Sequence, residues 1–159
     1  MGKKVISAGH ICLDITPVFD SGRKFDKIGE ILEPGKLLHV DAADVHTGGS
    51  VANTGLALKI LGSDVCLLGK VGSDAFGAMV QQIAQGYGVS GLVVDENSST
   101  SYSVVLAVPG IDRIFLHNPG ANNTSSRASS GMSALVKVLL APGLCRKIRS
   151  MPGTASTTE

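Results

Sequence analysis

The sequence predicts an α/β fold built on parallel strands. Short apolar runs suited to strands alternate with longer runs of helical periodicity, in the order strand, helix, strand, helix, strand. That order implies right-handed β-α-β units. Residues 64–71 are almost continuously apolar, as expected of a parallel strand covered on both faces. A glycine pair, Gly48-Gly49, opens the first helix, and Gly62 stands where a helix C-terminus is commonly closed.

The elements follow in order. Residues 5–9 read as a buried strand ending in a glycine turn. Residues 11–15 continue extended and place an acid, Asp14, inside an apolar run. Residues 20–36 are polar and punctuated by Gly and Pro, which predicts loop. Residues 36–45 supply a further short strand. The first helix spans 50–61. Leu56, Ala57 and Ile60 lie three, four and seven residues after Asn53, so Asn53 is expected on the packing face. Ser73 is the expected N-cap of a second helix that turns Phe76, Met79, Val80 and Ile83 inward. Asp74 is assigned to stabilising that helix start rather than to catalysis. Gly86 and Gly88 end the helix, and residues 92–94 form the next strand. Residues 102–108 and 113–117 flank Pro109-Gly110-Ile111-Asp112, a hairpin signal. The strands near 11–18, 37–45 and 102–117 need not join the parallel sheet and could form a small sheet of their own.

Composition bounds the rest. With 159 residues, 43% hydrophobic and 17% charged, the chain is long and apolar enough for one domain with a sizeable core. A net charge of +1 gives no argument for a nucleic-acid or membrane partner. No apolar stretch reaches the ~18 residues of a membrane span, and the N-terminus lacks a signal-peptide core, so a cytoplasmic location is expected. Cys12, Cys66 and Cys145 are widely spaced without a C-x-x-C pair, indicating neither a zinc site nor a disulfide framework. Cys12 and Cys66 read as buried thiols. The charge changes character near Thr124. Residues 1–124 carry −3, whereas residues 125–159 carry +4, with seven serines and no aromatic residue. The expected division is therefore 1–124 and 125–159.

Two common nucleotide motifs are absent. There is no phosphate loop G-x-x-x-x-G-K-[ST], and Gly69, Gly72 and Gly77 have the wrong spacing for a dinucleotide fingerprint. What stands out instead is Gly48-Gly49-Ser50-Val51-Ala52-Asn53 followed by Gly72-Ser73-Asp74-Ala75-Phe76-Gly77. Glycines let a ligand approach the backbone, and a helix start offers N–H donors, which suits a polyhydroxylated or anionic small molecule. Gly9 followed by Asp14, Thr100 before a hairpin and Gly120-Ala121-Asn122 after it complete the pattern. In this order and spacing, residues 5–124 resemble the ribokinase-like, or PfkB, family of carbohydrate and nucleoside kinases.

The resemblance implies a three-layer α-β-α fold with a small β-sheet lid. It implies ATP-dependent phosphoryl transfer to a hydroxyl of a sugar or nucleoside, with ATP and Mg2+ as cofactors. Asp14 would accept hydrogen bonds from sugar hydroxyls. Gly48 and Gly49 would let the sugar lie against the backbone, and Asn53 would offer both donor and acceptor. Plainer roles stand beside these. Asp14 could cap a turn, the glycines could form only a tight turn, and Asn53 could satisfy backbone. Ser50 stands where ribokinases commonly carry lysine, and Cys12 where they commonly carry a polar residue, so other sugars or nucleosides stay open beside ribose. His39, His46 and His117 show no ligand spacing and read as ordinary polar residues, and no metal site is assigned. The lid strands offer a homodimer surface.

In the family, the aspartate base and the anion hole come from a C-terminal Gly-Ala-Gly-Asp motif. No aspartate follows Asp112 here, and Glu159 is the sole acid after residue 124. The chain is therefore expected to hold roughly the first half of such a kinase, truncated before the catalytic Asp and the residues that bind ATP and Mg2+. It is expected to be inactive alone, with residues 125–159 out of frame or disordered. The alternative is a non-catalytic remnant that binds sugar weakly or pairs with a partner chain.

Overall fold

The structure, a computed structural model, describes residues 4–20, 22 and 24–125. The chain runs β1 (Lys4–Ala8), β2 (Cys12–Val18), β3 (Asp41–Gly48), α1 (Gly49–Ile60), β4 (Asp64–Leu68), β5 (Lys70–Gly72), α2 (Ala75–Gly86), β6 (Val93–Asp95), β7 (Tyr102–Leu106) and β8 (Ile114–Asn118). Short 3-10 turns cover Ile28–Glu30 and Gly120–Ser125. The predicted α/β order is present. β1 pairs in parallel with β4, and β5 in parallel with β6. The continuous strand expected over 64–71 is interrupted at Gly69. A Cβ there would lie 2.7 Å from Ile11 Cγ2, so the strand bends where the segment before β2 crosses it.

The core gathers where the parallel pairs meet the helices. Ile11, Leu13, Val51, Ala52, Val65, Leu67, Val71, Val80, Ala84 and Val89 form one buried cluster. α1 contributes Val51, Ala52 and Gly55. A Cβ on Gly55 would overlap the Leu67 side chain and lie 3.1 Å from Ser7 Cβ, so glycine lets the helix sit directly on β4 and β1. The Ser7 hydroxyl donates to the Val51 carbonyl at 3.1 Å and fixes that seat. This corrects the expected packing face. Asn53 and Ala57 are exposed, and Ile60 is 70% exposed, whereas Val51, Ala52 and Gly55 are buried and Leu56 and Leu58 pack against the core. Close approach on a small-residue face outweighed the apolar periodicity.

α2 is capped by Asp74, not Ser73, and Met79 is 38% exposed rather than turned inward. The Asp74 carboxylate accepts from the Gly77 amide (2.9 Å), the Thr100 amide (2.8 Å) and the Thr100 hydroxyl (2.5 Å). Burial alone would raise its pKa. The Thr100 and Gly77 bonds outweigh that and hold it below the ordinary carboxylate value. A group with a depressed folded pKa stabilises the fold above its unfolded pKa and loses that contribution as pH falls through the folded value. Wild-type stability should therefore fall more steeply than that of Asp74→Asn once the pH drops below about 4, the ordinary carboxylate range. Urea midpoints measured from pH 6 to pH 3 check this, and parallel curves for the two proteins would refute it.

The remaining strands form the separate small sheet, in the order β3-β2-β7-β8. β2 runs antiparallel to β3 and parallel to β7, while β7 and β8 form the expected hairpin, with Tyr102 opposite Asn118 and Leu106 opposite Ile114. β3 starts later than expected, at Asp41. Its register against β2 shifts between Thr16 and Val18, where Pro17 has no N–H to give the ladder. Cys12 and Cys66 are both buried. Cys12 is a free thiol, but Cys66 is disulfide-bonded, which corrects its reading as a thiol. Among the described residues no helix is long and apolar enough to cross a membrane. The expectations for residues 126–159 lie outside the described residues.

Candidate functional site

The small sheet carries one polar rung across all four strands. Asp14 on β2 is opposite His46 on β3 and Ser103 on β7, and Ser103 is opposite His117 on β8. Directly opposed residues share a face of a pleated sheet, so His46, Asp14, Ser103 and His117 line the same side. His117 Nδ1 lies 3.1 Å from the Ser103 hydroxyl. Two residues along β2, on that same face, Cys12 is opposite Gly48.

Gly48 sets the position of the Asp14 carboxylate. A Cβ at residue 48 would lie 2.5 Å from Asp14 Cγ and 2.7 Å from Oδ1, and would overlap Oδ2. The carboxylate thus rests on bare backbone at the last residue of β3, immediately before α1. Oδ1 accepts from the Cys12 thiol at 3.2 Å. Burial, then the hydrogen bond to Asp14 and its charge, push the Cys12 thiol up to about 12. Cys12 therefore stays protonated and serves as a donor, not a nucleophile.

Gly49 makes the neighbouring clearance. It takes φ +85°, and a Cβ there would lie 2.6 Å from the His10 carbonyl oxygen and 3.1 Å from His10 Nδ1. The same carbonyl accepts from the Val51 amide at 3.0 Å, which ties the start of α1 to the loop after β1. Asn122 grips that loop from the far side, its Nδ2 donating to the Ile11 carbonyl at 2.8 Å. His10 Nε2 lies 3.0 Å from the Ser101 hydroxyl, and the His10 and His117 rings meet edge to face at 5.3 Å. Burial and the neighbouring His117 hold the His10 pKa below its ordinary value, with Asp14 pulling the other way.

Of the residues expected from sequence, Asp14, Gly48 and Gly49 thus come together at the junction of the small sheet with α1. Asn53 lies one turn further along α1 and is exposed. Thr100 and Asn122 hold the frame rather than the site. The residues missed are His10, Ser101, Ser103 and His117. His117, read as an ordinary polar residue, lies on the polar rung. An approximate hairpin register around Pro109–Asp112 brings Ser103 near His117, but nothing local brings either to Asp14. Among the described residues no group of three or more His, Cys, Asp or Glu could hold a metal ion. The arrangement is suited to holding hydroxyls: a carboxylate and an imidazole lie against a glycine-floored helix start.

The chain is similar to known proteins in both sequence and fold. The sequence model described as pfkB family carbohydrate kinase matches residues 4–139. The chain is 29% identical over 122 residues to "Probable fructokinase-4" of Arabidopsis thaliana, covering 74% of this chain and 33% of that protein. It is 32% identical over 93 residues to 2-dehydro-3-deoxygluconokinase of Thermoproteus tenax, covering 55% and 29%. The chain thus spans about a third of the length of the curated relatives it matches. Among solved structures, it superposes on the nucleoside kinase of Methanocaldococcus jannaschii, an archaeal member of the ribokinase family. The TM-score is 0.61 at 23% identity, with 80% of this chain and 41% of that one covered.

Proposed function

The chain belongs to the pfkB family of carbohydrate kinases, and on that premise we propose that it binds the hydroxyl-bearing acceptor of an ATP-dependent phosphoryl transfer. The acceptor is a sugar or a nucleoside. One observation carries the reading: the Asp14 carboxylate lies on the bare backbone of Gly48, at the mouth of α1.

In this reading Asp14 Oδ2 takes a hydrogen bond from an acceptor hydroxyl while Oδ1 is held by Cys12. Charge-assisted bonds of this kind are about twice as strong as neutral ones. Gly48 and Gly49 let the acceptor lie on the backbone, and Asn53 offers an amide to a further hydroxyl. The small sheet acts as the lid that keeps water from the reacting hydroxyl. When bound, ATP supplies the phosphoryl group and Mg2+ neutralises its charge. No described residue is assigned to either.

Calorimetric titration of the 159-residue chain with D-fructose, D-ribose, 2-dehydro-3-deoxygluconate and adenosine tests the proposal. At least one should bind, and Asp14→Asn should weaken that binding by roughly ten- to a hundredfold, the worth of one hydrogen bond to a charged group. Addition of Mg-ATP should give no transfer, because no aspartate follows Asp112 among the 159 residues to serve as the base. Absence of binding by every probe or indifference to Asp14→Asn would overturn it, whereas turnover near the ~1–100 s−1 of kinases would overturn only the expected inactivity.

A further inference from the structure

Successive glycines clear space for successive acceptors. Gly48 makes room for the Asp14 carboxylate, and Gly49 makes room for His10. Their Cα atoms are about 3.8 Å apart. The His10 ring is oriented by its neighbours. The Ser101 hydroxyl is wholly buried and donates its proton to the Asn118 carbonyl at 2.9 Å. Toward His10 Nε2, at 3.0 Å, it is therefore an acceptor. That assigns the ring proton to Nε2 and leaves the lone pair on Nδ1. No hydrogen bond of the described residues is made to Nδ1, and no buried side-chain nitrogen or oxygen among them lacks a partner, so Nδ1 is not sealed from solvent. It does so 3.1 Å from the Cβ position that Gly49 leaves empty. The His117 ring, packed edge to face against His10 from strand β8 (interplanar angle 79°), fixes the plane from the lid side.

We infer that His10 is a second recognition residue of this site, its Nδ1 accepting a hydrogen bond from a different hydroxyl of the acceptor than the one Asp14 takes. The inference rests on the acceptor-binding reading above. It makes the site a reader of two hydroxyls, with Ser101 and His117 as positioning residues. Burial and His117 together favour the neutral ring, which is the form able to accept.

The test uses the full chain and whichever of the four probes binds wild type, together with the monodeoxy analogues of that probe. His10→Phe should weaken binding about tenfold, the effect of leaving one hydroxyl unpaired. His10→Asn places an amide oxygen near the Nδ1 position and should stay within a few-fold of wild type. One deoxy analogue, missing the hydroxyl that His10 reads, should bind wild type and His10→Phe equally. Long-range 15N–1H NMR of the free protein should show His10 protonated at Nε2. This readout needs no ligand and no variant, so it stands even if His10→Phe does not fold. Wild-type affinity in His10→Phe, equal losses for every analogue, or a proton on Nδ1 overturns the inference while leaving the role of Asp14 intact. If no probe binds wild type, or if Asp14→Asn has no effect, the acceptor-binding reading itself fails and the inference falls with it.

Discussion

Gly48→Ala should abolish acceptor binding at concentrations that saturate wild type, a loss of at least about a hundredfold, while the chain still folds. Gly48 has φ −120° and ψ −172°, an extended conformation open to any residue, so alanine brings no backbone strain. The added methyl instead enters the space of the Asp14 carboxylate, meeting all three of its heavy atoms. Asp14 has two side-chain torsions and no room to slide, so it must swing to another rotamer. That breaks its bond with Cys12 and removes the charge from the start of α1. The effect on binding should exceed that of Asp14→Asn, because the methyl also fills the floor on which the acceptor would lie. Small-to-large changes of this kind cost about 1–3 kcal/mol of stability. Titration calorimetry and a urea midpoint measured on the same preparation separate the two effects. Near-normal binding would show that the carboxylate and the acceptor do not share this floor.

Much of this arrangement was legible in the sequence because its signals are local. The glycine pair, the helix after it and a second helix starting near Ser73-Asp74 are written in adjacent residues, and the structure has each of them, although the cap itself is Asp74 and not the expected Ser73. The hairpin around Pro109–Asp112 is equally local. The resemblance to the carbohydrate kinases was carried by Gly48 through Gly77 together with Gly9, Asp14, Thr100 and Asn122, and the family match agrees. The fold likewise has the separate small sheet that the leftover strands allowed.

What was not legible depends on register and on close packing. Ser103 is 89 positions from Asp14 in sequence but directly opposite it once β7 lies parallel to β2. A one-residue slip in that pairing would send Asp14 and Ser103 to opposite faces, and no short-range pattern fixes it. His10 and Ser101 meet only because the segment before β2 and the residue before β7 run side by side. The orientation of α1 failed for a different reason. Periodicity favoured Leu56, Ala57 and Ile60; Leu56 does pack against the core, but Ala57 and Ile60 are exposed, and Gly55 gives a closer seat against Leu67 and Ser7 than a larger residue would. An interior as dense as an organic crystal rewards that shape match over apolar content.

Gly77→Ala should destabilise the chain by about 3 kcal/mol, although the same change inside an ordinary helix would stabilise it by roughly 1 kcal/mol. The sign is reversed by what lies over the helix start. A Cβ at residue 77 would overlap the Gly72 carbonyl oxygen and lie 2.8 Å from Thr100 Oγ1. Neither neighbour can move away at low cost. Gly72 is paired with Asp95 in the β5-β6 ladder, and its amide donates to Thr100 Oγ1 at 2.9 Å. Thr100 is wholly buried and bonded twice to Asp74. Gly72 is itself confined, since a Cβ there would lie 2.7 Å from the Thr100 amide nitrogen. Gly86→Ala provides the control: it is in the same helix, a Cβ there meets nothing within 4 Å, and it should be neutral or slightly stabilising. Urea denaturation of the two variants decides the matter, and equal midpoints would sink the argument. The consequence reaches the site as well. Thr100 leads into β7, and Tyr102 on that strand stacks edge to face on Phe76 of α2 at 5.4 Å. The strand that carries Ser103 to Asp14 is thus rooted on the start of α2. A displaced Thr100 should weaken acceptor binding even where enough folded protein remains to measure it, whereas Gly86→Ala should bind as wild type does.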